Sequence, residues 1–211
     1  MPVDCKKNSA FNIFQEKGYG MDRRKTVTFR FYEGLNDFLS PHRRKQAFSY
    51  SFLIAPSVKD AIESLGVPHC EVDLILVNGG AEPFAYRLHD RDRISVYPVF
   101  ERLDIFSLNR LRPRPLRRPR FILDVHLGKL ARFMRMLGFD VMWQNDFSDH
   151  EIVIRAAEEG RIILTRDVGL LKHSRVKRGV WIRNTDPSMQ IREVMKRLDL
   201  YDCVQPFSRC V

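Results

Sequence analysis

The chain has 211 residues, of which 44% are hydrophobic and 29% are charged, and its formal net charge is +10. This composition is ordinary for a globular protein. Cys5, Cys70, Cys203 and Cys210 are scattered and form no Cys-x-x-Cys pair, so neither a disulfide framework nor a complete zinc site can be read from them. The sequence contains no apolar run of about 20 residues and no secretory signal, so we expect a cytoplasmic protein.

The positive charge lies mainly in the second half of the chain. Residues 101–211 carry 22 Lys and Arg against 14 Asp and Glu, whereas residues 21–100 carry 11 against 10. A surplus of this kind suits a polyanion such as nucleic acid, although it is also typical of a solvated surface.

Residues 26–100 predict a small domain that follows a disordered leader at residues 1–25. Alternating apolar residues in TVTFRFY predict a half-buried strand from Thr26, and a second strand follows at residues 47–53. Ser57 is typical of a helix cap, with Gly66 at the end of that helix. Asn78-Gly79 predicts a hairpin turn before the last strand, DRISVYPV. This order predicts a mixed sheet packed over one helix.

The segments PSVKDAIESLGVPHCEVDLILVNG and DRDRISVYPVF resemble the ubiquitin-like β-grasp domain found before certain bacterial RNase domains. The resemblance implies an α+β accessory domain that docks a protein partner or positions the next domain. Small sulfur carriers are similar in fold but act through a free Gly-Gly carboxyl terminus. Gly79-Gly80 lies inside the chain, so we exclude sulfur transfer.

Residues 101–119 are rich in Pro and Arg and predict an extended linker. Its charge suits contact with a phosphate backbone, and a solvated linker is an equal alternative.

Residues 120–200 show one pattern three times: an apolar run leads to an Asp that stands at the start of a helical stretch. The three residues are Asp124, Asp149 and Asp167. In an alternating β/α chain the strands are parallel, and their carboxyl ends gather along one edge of the sheet. Carboxylates gathered there suit Mg²⁺ or Mn²⁺. Asp is also among the best helix caps, so a structural role for each residue stays open.

Several charged residues surround these acids. Glu151 lies two residues after Asp149. It is either a further metal ligand or an acid that the dipole at the start of the helix favours. Five basic residues suit contact with RNA phosphates: Lys129, Arg132, Arg135, Arg166 and Lys172. The alternative is that they form a solvated surface or salt bridges. Asp186 is a further acid or a turn and cap residue. The sequence shows no aromatic stacking platform, so we expect recognition by backbone charge.

The segments RFILDVHLGKLARFMRMLGFD and DFSDHEIVIRAAEEGRIILTRDVGLLK look like the C-terminal RNase domain named after the mutator-seven exonuclease, in the PIN-like nuclease group. The resemblance implies an α/β domain with a parallel sheet that hydrolyses RNA, most readily single-stranded RNA, with Mg²⁺ or Mn²⁺. It implies that Asp124, Asp149 and Asp167 are catalytic metal ligands and that Glu151 is another ligand.

Related domains commonly end in a zinc ribbon of two Cys-x-x-Cys pairs. The tail at residues 201–211 has only Cys210 where the first pair would begin, so a complete zinc site cannot be assembled from it.

Two other functions compete with the nuclease hypothesis. The first is a non-catalytic RNA-binding or regulatory module whose acids are only helix caps. The second is a phosphoacceptor domain, which is disfavoured because the first strand lacks a paired acid and the last strand lacks a Lys.

Overall fold

A computed structural model describes residues 24–98 and 119–209. Residues 1–23 of the predicted leader, residues 101–118 of the predicted linker and Cys210 lie outside the described residues. The described residues form two sheets, one of five strands and one of four.

The first sheet has the strand order β2-β1-β5-β3-β4. Its elements are β1 (Lys25–Phe31), β2 (Ala47–Phe52), helix α1 (Val58–Ser64), β3 (Val72–Val77), β4 (Gly80–Ala81) and β5 (Arg93–Pro98). Strands β1 and β5 run parallel and the other neighbours run antiparallel. This is the predicted mixed sheet, with α1 on the face that carries the buried side chains.

Local signals set the boundaries of these elements. Ser57 and Asp60 form a reciprocal capping box at the start of α1. Asn78 and Gly79 have φ angles of 52° and 90° and connect β3 to β4 as a two-residue turn. That turn needs positive φ at both central residues, which Asn and Gly adopt most readily. Both predictions are confirmed.

The second sheet is wholly parallel and has the strand order β7-β6-β8-β9. Its strands are β6 (Arg120–Leu123), β7 (Asp140–Met142), β8 (Ile162–Thr165) and β9 (Gly179–Trp181). Its helices are α2 (Gly128–Met136), α3 (Asp149–Glu159), α4 (Val168–Leu171) and α5 (Pro187–Arg197). The predicted α/β domain with a parallel sheet is therefore confirmed.

Alternating side chains of the second sheet fill a core on each of its faces. Phe121 and Leu123 of β6 join a cluster with residues of α2 and α5, whereas Ile122 joins a cluster with residues of α3 and α4. The domain thus has three layers, with helices on both faces of the sheet. Such an arrangement leaves the carboxyl ends of the strands as the exposed edge where loops and helix starts meet.

The segment after α5 packs against the second domain. The N–H of Gln205 donates to the Leu137 carbonyl, and the Arg209 guanidinium donates to the Gly138 carbonyl. Gly138 has a φ of +92°, and a Cβ there would lie 2.1 Å from the Gln205 carbonyl oxygen, so only glycine fits between α2 and this segment.

None of the helices in the described ranges has the length and apolar character required to cross a membrane.

Candidate active site

Asp124 lies at the carboxyl end of β6 and is only 7% exposed. Its N–H donates to the Leu164 carbonyl, which continues the pairing of β6 with β8 by one residue. Its carboxylate oxygen Oδ2 accepts a hydrogen bond from the Thr165 hydroxyl at 2.8 Å. Asp124 stands at the start of the short 3₁₀ turn Val125–Leu127, but its side chain makes no capping bond there. The capping alternative is therefore wrong for Asp124, because its carboxylate points to the neighbouring strand.

Thr165 connects Asp124 to Asp167. Its hydroxyl donates to Asp124 and accepts from the Asp167 N–H at 2.9 Å, and Thr165 is fully buried. Asp167 begins helix α4, where its Oδ1 accepts from the Gly169 N–H at 2.6 Å. Asp124 and Asp167 therefore lie at the same edge of the sheet, linked by the Thr165 hydroxyl. The prediction that Asp167 caps a helix is confirmed.

Asp149 lies in the first turn of α3, exposed, at the same edge of the sheet. The cap of α3 is Ser148, whose hydroxyl accepts from the Glu151 N–H while the Glu151 carboxylate accepts from the Ser148 N–H at 2.9 Å. The capping alternative is therefore wrong for Asp149, because Ser148 occupies the capping position one residue earlier.

The pKa of Glu151 is lowered, first by its hydrogen bond from the Ser148 backbone and next by that from the Ser148 hydroxyl. Asp186 shows the same behaviour at the start of α5: its pKa is lowered because its carboxylate accepts from the Ser188 side chain and from the Met189 and Ser188 N–H groups. For Asp186 the turn and cap alternative is confirmed.

Within residues 24–98 and 119–209, no group of three or more His, Cys, Asp or Glu side chains is arranged to hold a metal ion. Thr165 links the Asp124 carboxylate to the backbone N–H of Asp167, and Asp149 and Glu151 form no cluster with these two acids. Carboxylates are nevertheless the ligand type that Mg²⁺ prefers, and proteins usually bind this ion through one or two carboxylates together with waters and substrate phosphates. The four-ligand set stays a prediction.

The predicted phosphate contacts divide into two groups. Lys129 and Arg132 on α2 and Arg166 after β8 are exposed and form no ion pair with a described residue. Arg135 donates to the Val141 carbonyl, and Lys172 donates to the Glu63 carbonyl at 3.1 Å. The first three side chains are available to an anion, whereas the last two already hold protein carbonyls.

The first domain packs against the segment that follows Asp167. In the short turn His69–Glu71, the Nε2 of His69 binds the Val176 carbonyl at 2.8 Å and the Cys70 thiol donates to the Leu171 carbonyl at 3.5 Å. Cys70 is 1% exposed and belongs to the core cluster on the α3 and α4 side of the second sheet. The first domain therefore supplies a residue to the core of the second.

Glu71 completes this contact at the edge strand β9. Its carboxylate is buried, accepts from the Trp181 N–H at 2.6 Å and pairs with Arg197 of α5. Arg183 reaches back to the first domain, where it donates to Asp37 at 2.7 Å and to the Gly34 carbonyl at 2.9 Å. The expectation that the first domain positions the second agrees with these contacts, and a separate protein partner stays a prediction.

Comparison with protein families decides the identity of both domains. Residues 24–104 match Mut7-C ubiquitin, and residues 119–211 match the Mut7-C RNAse domain. The chain therefore carries one domain that matches the Mut7-C ubiquitin family and a second that matches the Mut7-C RNAse family. The suspected family and its two-domain arrangement are confirmed, and a Mut7-C RNAse domain indicates a nuclease with RNA as the substrate. Comparisons with curated proteins and with solved structures found no match.

Sequence reasoning missed Thr165 and the turn His69–Glu71. Thr165 could have been noted as the one polar residue that ends the buried run RIILT. The turn carries no comparable signal, because its partners Val176, Trp181 and Arg197 follow it by more than 100 residues.

Proposed function

We propose that this Mut7-C protein is a metal-dependent ribonuclease that hydrolyses phosphodiester bonds of single-stranded RNA. The observation that carries the proposal is the buried carboxylate of Asp124, joined through Thr165 to Asp167 at the carboxyl edge of the parallel sheet. This pair lies in the domain that matches an RNAse family.

Asp124 and Asp167 would hold Mg²⁺ or Mn²⁺ in this proposal, with Asp149 and Glu151 approaching from the start of α3. The bound ion would supply positive charge that stabilises the phosphate during hydrolysis. Thr165 keeps the Asp124 carboxylate in one orientation, which matters because misplaced groups lose much of their effect on a reaction. Zinc has no part in the proposal.

The exposed cations would hold the RNA strand. Lys129, Arg132 and Arg166 stand on elements that begin or end at the same edge as Asp124, so they suit the phosphates on either side of the bond that breaks. Arg135 and Lys172 would contribute less, because both donate to protein carbonyls. A cytoplasmic location is part of this proposal.

Asn substitutions test the proposal, because Asn has the shape of Asp and an oxygen that accepts hydrogen bonds but carries no charge. At Asp167, Asn also caps a helix about as well as Asp. Labelled single-stranded RNA is incubated with the full chain and Mn²⁺, Mg²⁺ or EDTA. We expect metal-dependent cleavage that falls at least 100-fold in Asp124→Asn and in Asp167→Asn, with melting temperatures close to wild type. Asp60→Asn, which alters a helix-capping acid of the first domain, is the matched control and should cleave normally.

The competing function is an RNA-binding module without catalysis, favoured by the capping bond that Asp167 makes to Gly169. It predicts RNA binding that weakens with salt and no cleavage with any metal. Cleavage that survives both Asn substitutions would instead show that the reaction does not use this pair of acids.

A further inference from the structure

The outer face of the first sheet carries a continuous row of polar and aromatic residues. Strands β1 and β5 pair in parallel, with Thr28 opposite Arg93 and Arg30 opposite Ser95. Their alternate residues, among them Phe29 and Ile94, point to the core on the other side. The outer face is therefore formed by a defined set of side chains that the hydrophobic core does not use.

A cavity of about 360 Å³ opens on this face. No Asp or Glu lines this cavity, although acidic and basic residues are nearly equal in number in the first domain. The residues that line it are Thr28, Arg30, Tyr32, Ala47, Leu76, Asn78, Gly79, Arg93, Ile94 and Ser95. Two arginines and several hydroxyl and amide groups thus surround one cavity without a neutralising carboxylate.

An aromatic stack adjoins the cavity. The rings of Tyr32 and Tyr97 are parallel within 9°, with centroids 4.3 Å apart, and the Arg30 guanidinium lies 5.2 Å from the centre of the Tyr32 ring. These three π groups are contiguous although Tyr32 and Tyr97 come from opposite ends of the domain sequence. The sequence alone showed no stacking platform because the fold creates this one.

The two arginines are available to a ligand. Arg30 and Arg93 are exposed, and neither forms an ion pair within residues 24–98 and 119–209. A guanidinium donates in a planar fork that matches phosphate, and its plane also stacks on nucleic-acid bases. Tyrosine rings offer the same stacking to any base, which is how proteins bind single strands without reading their sequence.

We propose that this face is a binding surface for single-stranded RNA, with phosphates on Arg30 and Arg93 and a base against the stack of Tyr32 and Arg30. The inference rests on the proposed function in one respect, namely that RNA is the substrate. It adds a place in the other domain where the strand is held, so loss of this surface changes the affinity for RNA and leaves the chemical step intact.

Fluorescence anisotropy with a labelled single-stranded RNA in EDTA measures this affinity on the full chain. Arg30→Gln combined with Arg93→Gln should weaken binding at least tenfold and reduce the slope of log K against log salt by about 1.4, since each lost phosphate contact removes about 0.7. Lys59→Gln combined with Arg91→Gln removes the same charge from the first domain outside the cavity lining and is the matched control.

The aromatic part of the surface has its own test. Tyr32→Leu removes the ring plane and should weaken binding about tenfold with an unchanged salt slope, whereas Tyr32→Phe retains the ring and should bind as wild type does. Circular dichroism and melting temperature confirm that each variant is folded. Equal binding by the arginine pair variant and by its control overturns the inference, as does binding of an acidic peptide at this face in place of RNA.

Cleavage assays separate this inference from the proposed function. If Mn²⁺-dependent cleavage occurs and the face variants raise KM with kcat unchanged, both stand. If RNA binds at this face and no metal supports cleavage, the binding surface stands and the ribonuclease proposal fails. If cleavage occurs with KM and affinity unaffected by the face variants, the ribonuclease proposal stands and the binding surface is wrong.

Discussion

At the scale of single residues, the candidate active site depends on a buried hydroxyl. Thr165 donates to Asp124 and accepts from the Asp167 N–H, so one side chain orders both acids. Asp124 and Asp167 were predictable from sequence because each follows an apolar run. Thr165 was not, since a Thr inside a buried strand is common and its hydroxyl partner depends on the neighbouring strand.

Replacement of Thr165 tests this arrangement. Thr165→Val keeps the shape but leaves a carboxylate oxygen and an N–H without their partner, which should reduce the free energy of unfolding by about 2 kcal/mol. Cleavage of RNA should fall at least tenfold because Asp124 loses its orientation. Thr165→Ser keeps the hydroxyl and should retain most of both properties in urea unfolding and cleavage assays. If Ser and Val behave alike, the hydroxyl does not position the acids.

At the scale of elements, helix starts account for most of the acids that the sequence singled out. The capping box of α1 was predictable because Ser57 and Asp60 stand three residues apart before an apolar helix. The box at α3 has the same spacing in Ser148 and Glu151, but Asp149 lies between them and has the same acidic character as a metal ligand, so the sequence favoured two roles for this stretch. The local signals were strong, but an acid at the start of a helix can be either a cap or a metal ligand, and this ambiguity limited the prediction of the site.

These caps predict how stability depends on pH. The pKa of Glu151 is lowered in the folded chain by hydrogen bonds from the cap residue Ser148, and that of Asp186 is lowered by hydrogen bonds from Ser188 and Met189 in the first turn of α5. Such groups stabilise the fold above their ordinary pKa values, and the contribution is lost as the pH falls through the lowered values. The urea concentration at which half of the protein is unfolded should therefore decrease as the pH is lowered from about 5 to about 3.

A non-titrating variant provides the comparison for this pH series. Glu151→Gln with Asp186→Asn keeps groups that can accept the capping hydrogen bonds but removes both titrations. Its urea midpoint should depend less steeply on pH than that of the wild type in the same acid range. Curves of equal steepness would mean that these two caps do not contribute to acid unfolding.

At the scale of the whole molecule, Glu71 of the first domain contacts both a strand and a helix of the second. Glu71 closes the edge strand β9 by accepting the Trp181 N–H, and it pairs with Arg197. Open N–H groups on an edge strand can pair with another chain, and the Glu71 carboxylate occupies one such group on β9. Both domain folds could be predicted from their own sequences. This contact could not, because Trp181 and Arg197 follow Glu71 by 110 and 126 residues.

Loss of Glu71 should uncouple the domains. Glu71→Ala leaves Arg197 without its buried partner and should reduce the free energy of unfolding by about 3 kcal/mol. We expect the melting transition to move to lower temperature and to divide in two when followed by calorimetry. Glu158→Ala, at an exposed acid of α3, is the control and should melt as the wild type does. An unchanged single transition in Glu71→Ala would show that Glu71 does not couple the domains.

The position of Cys70 bears on how the protein is made. Cys70 lies in the core of the second domain but belongs to the first, which a ribosome completes earlier. We therefore expect the β-grasp domain to fold before the strands of the second domain leave the ribosome. We expect the second domain, which is synthesised after the first, to complete this part of its core against Cys70, so that the order of the two domains gives the nascent chain a surface on which to fold.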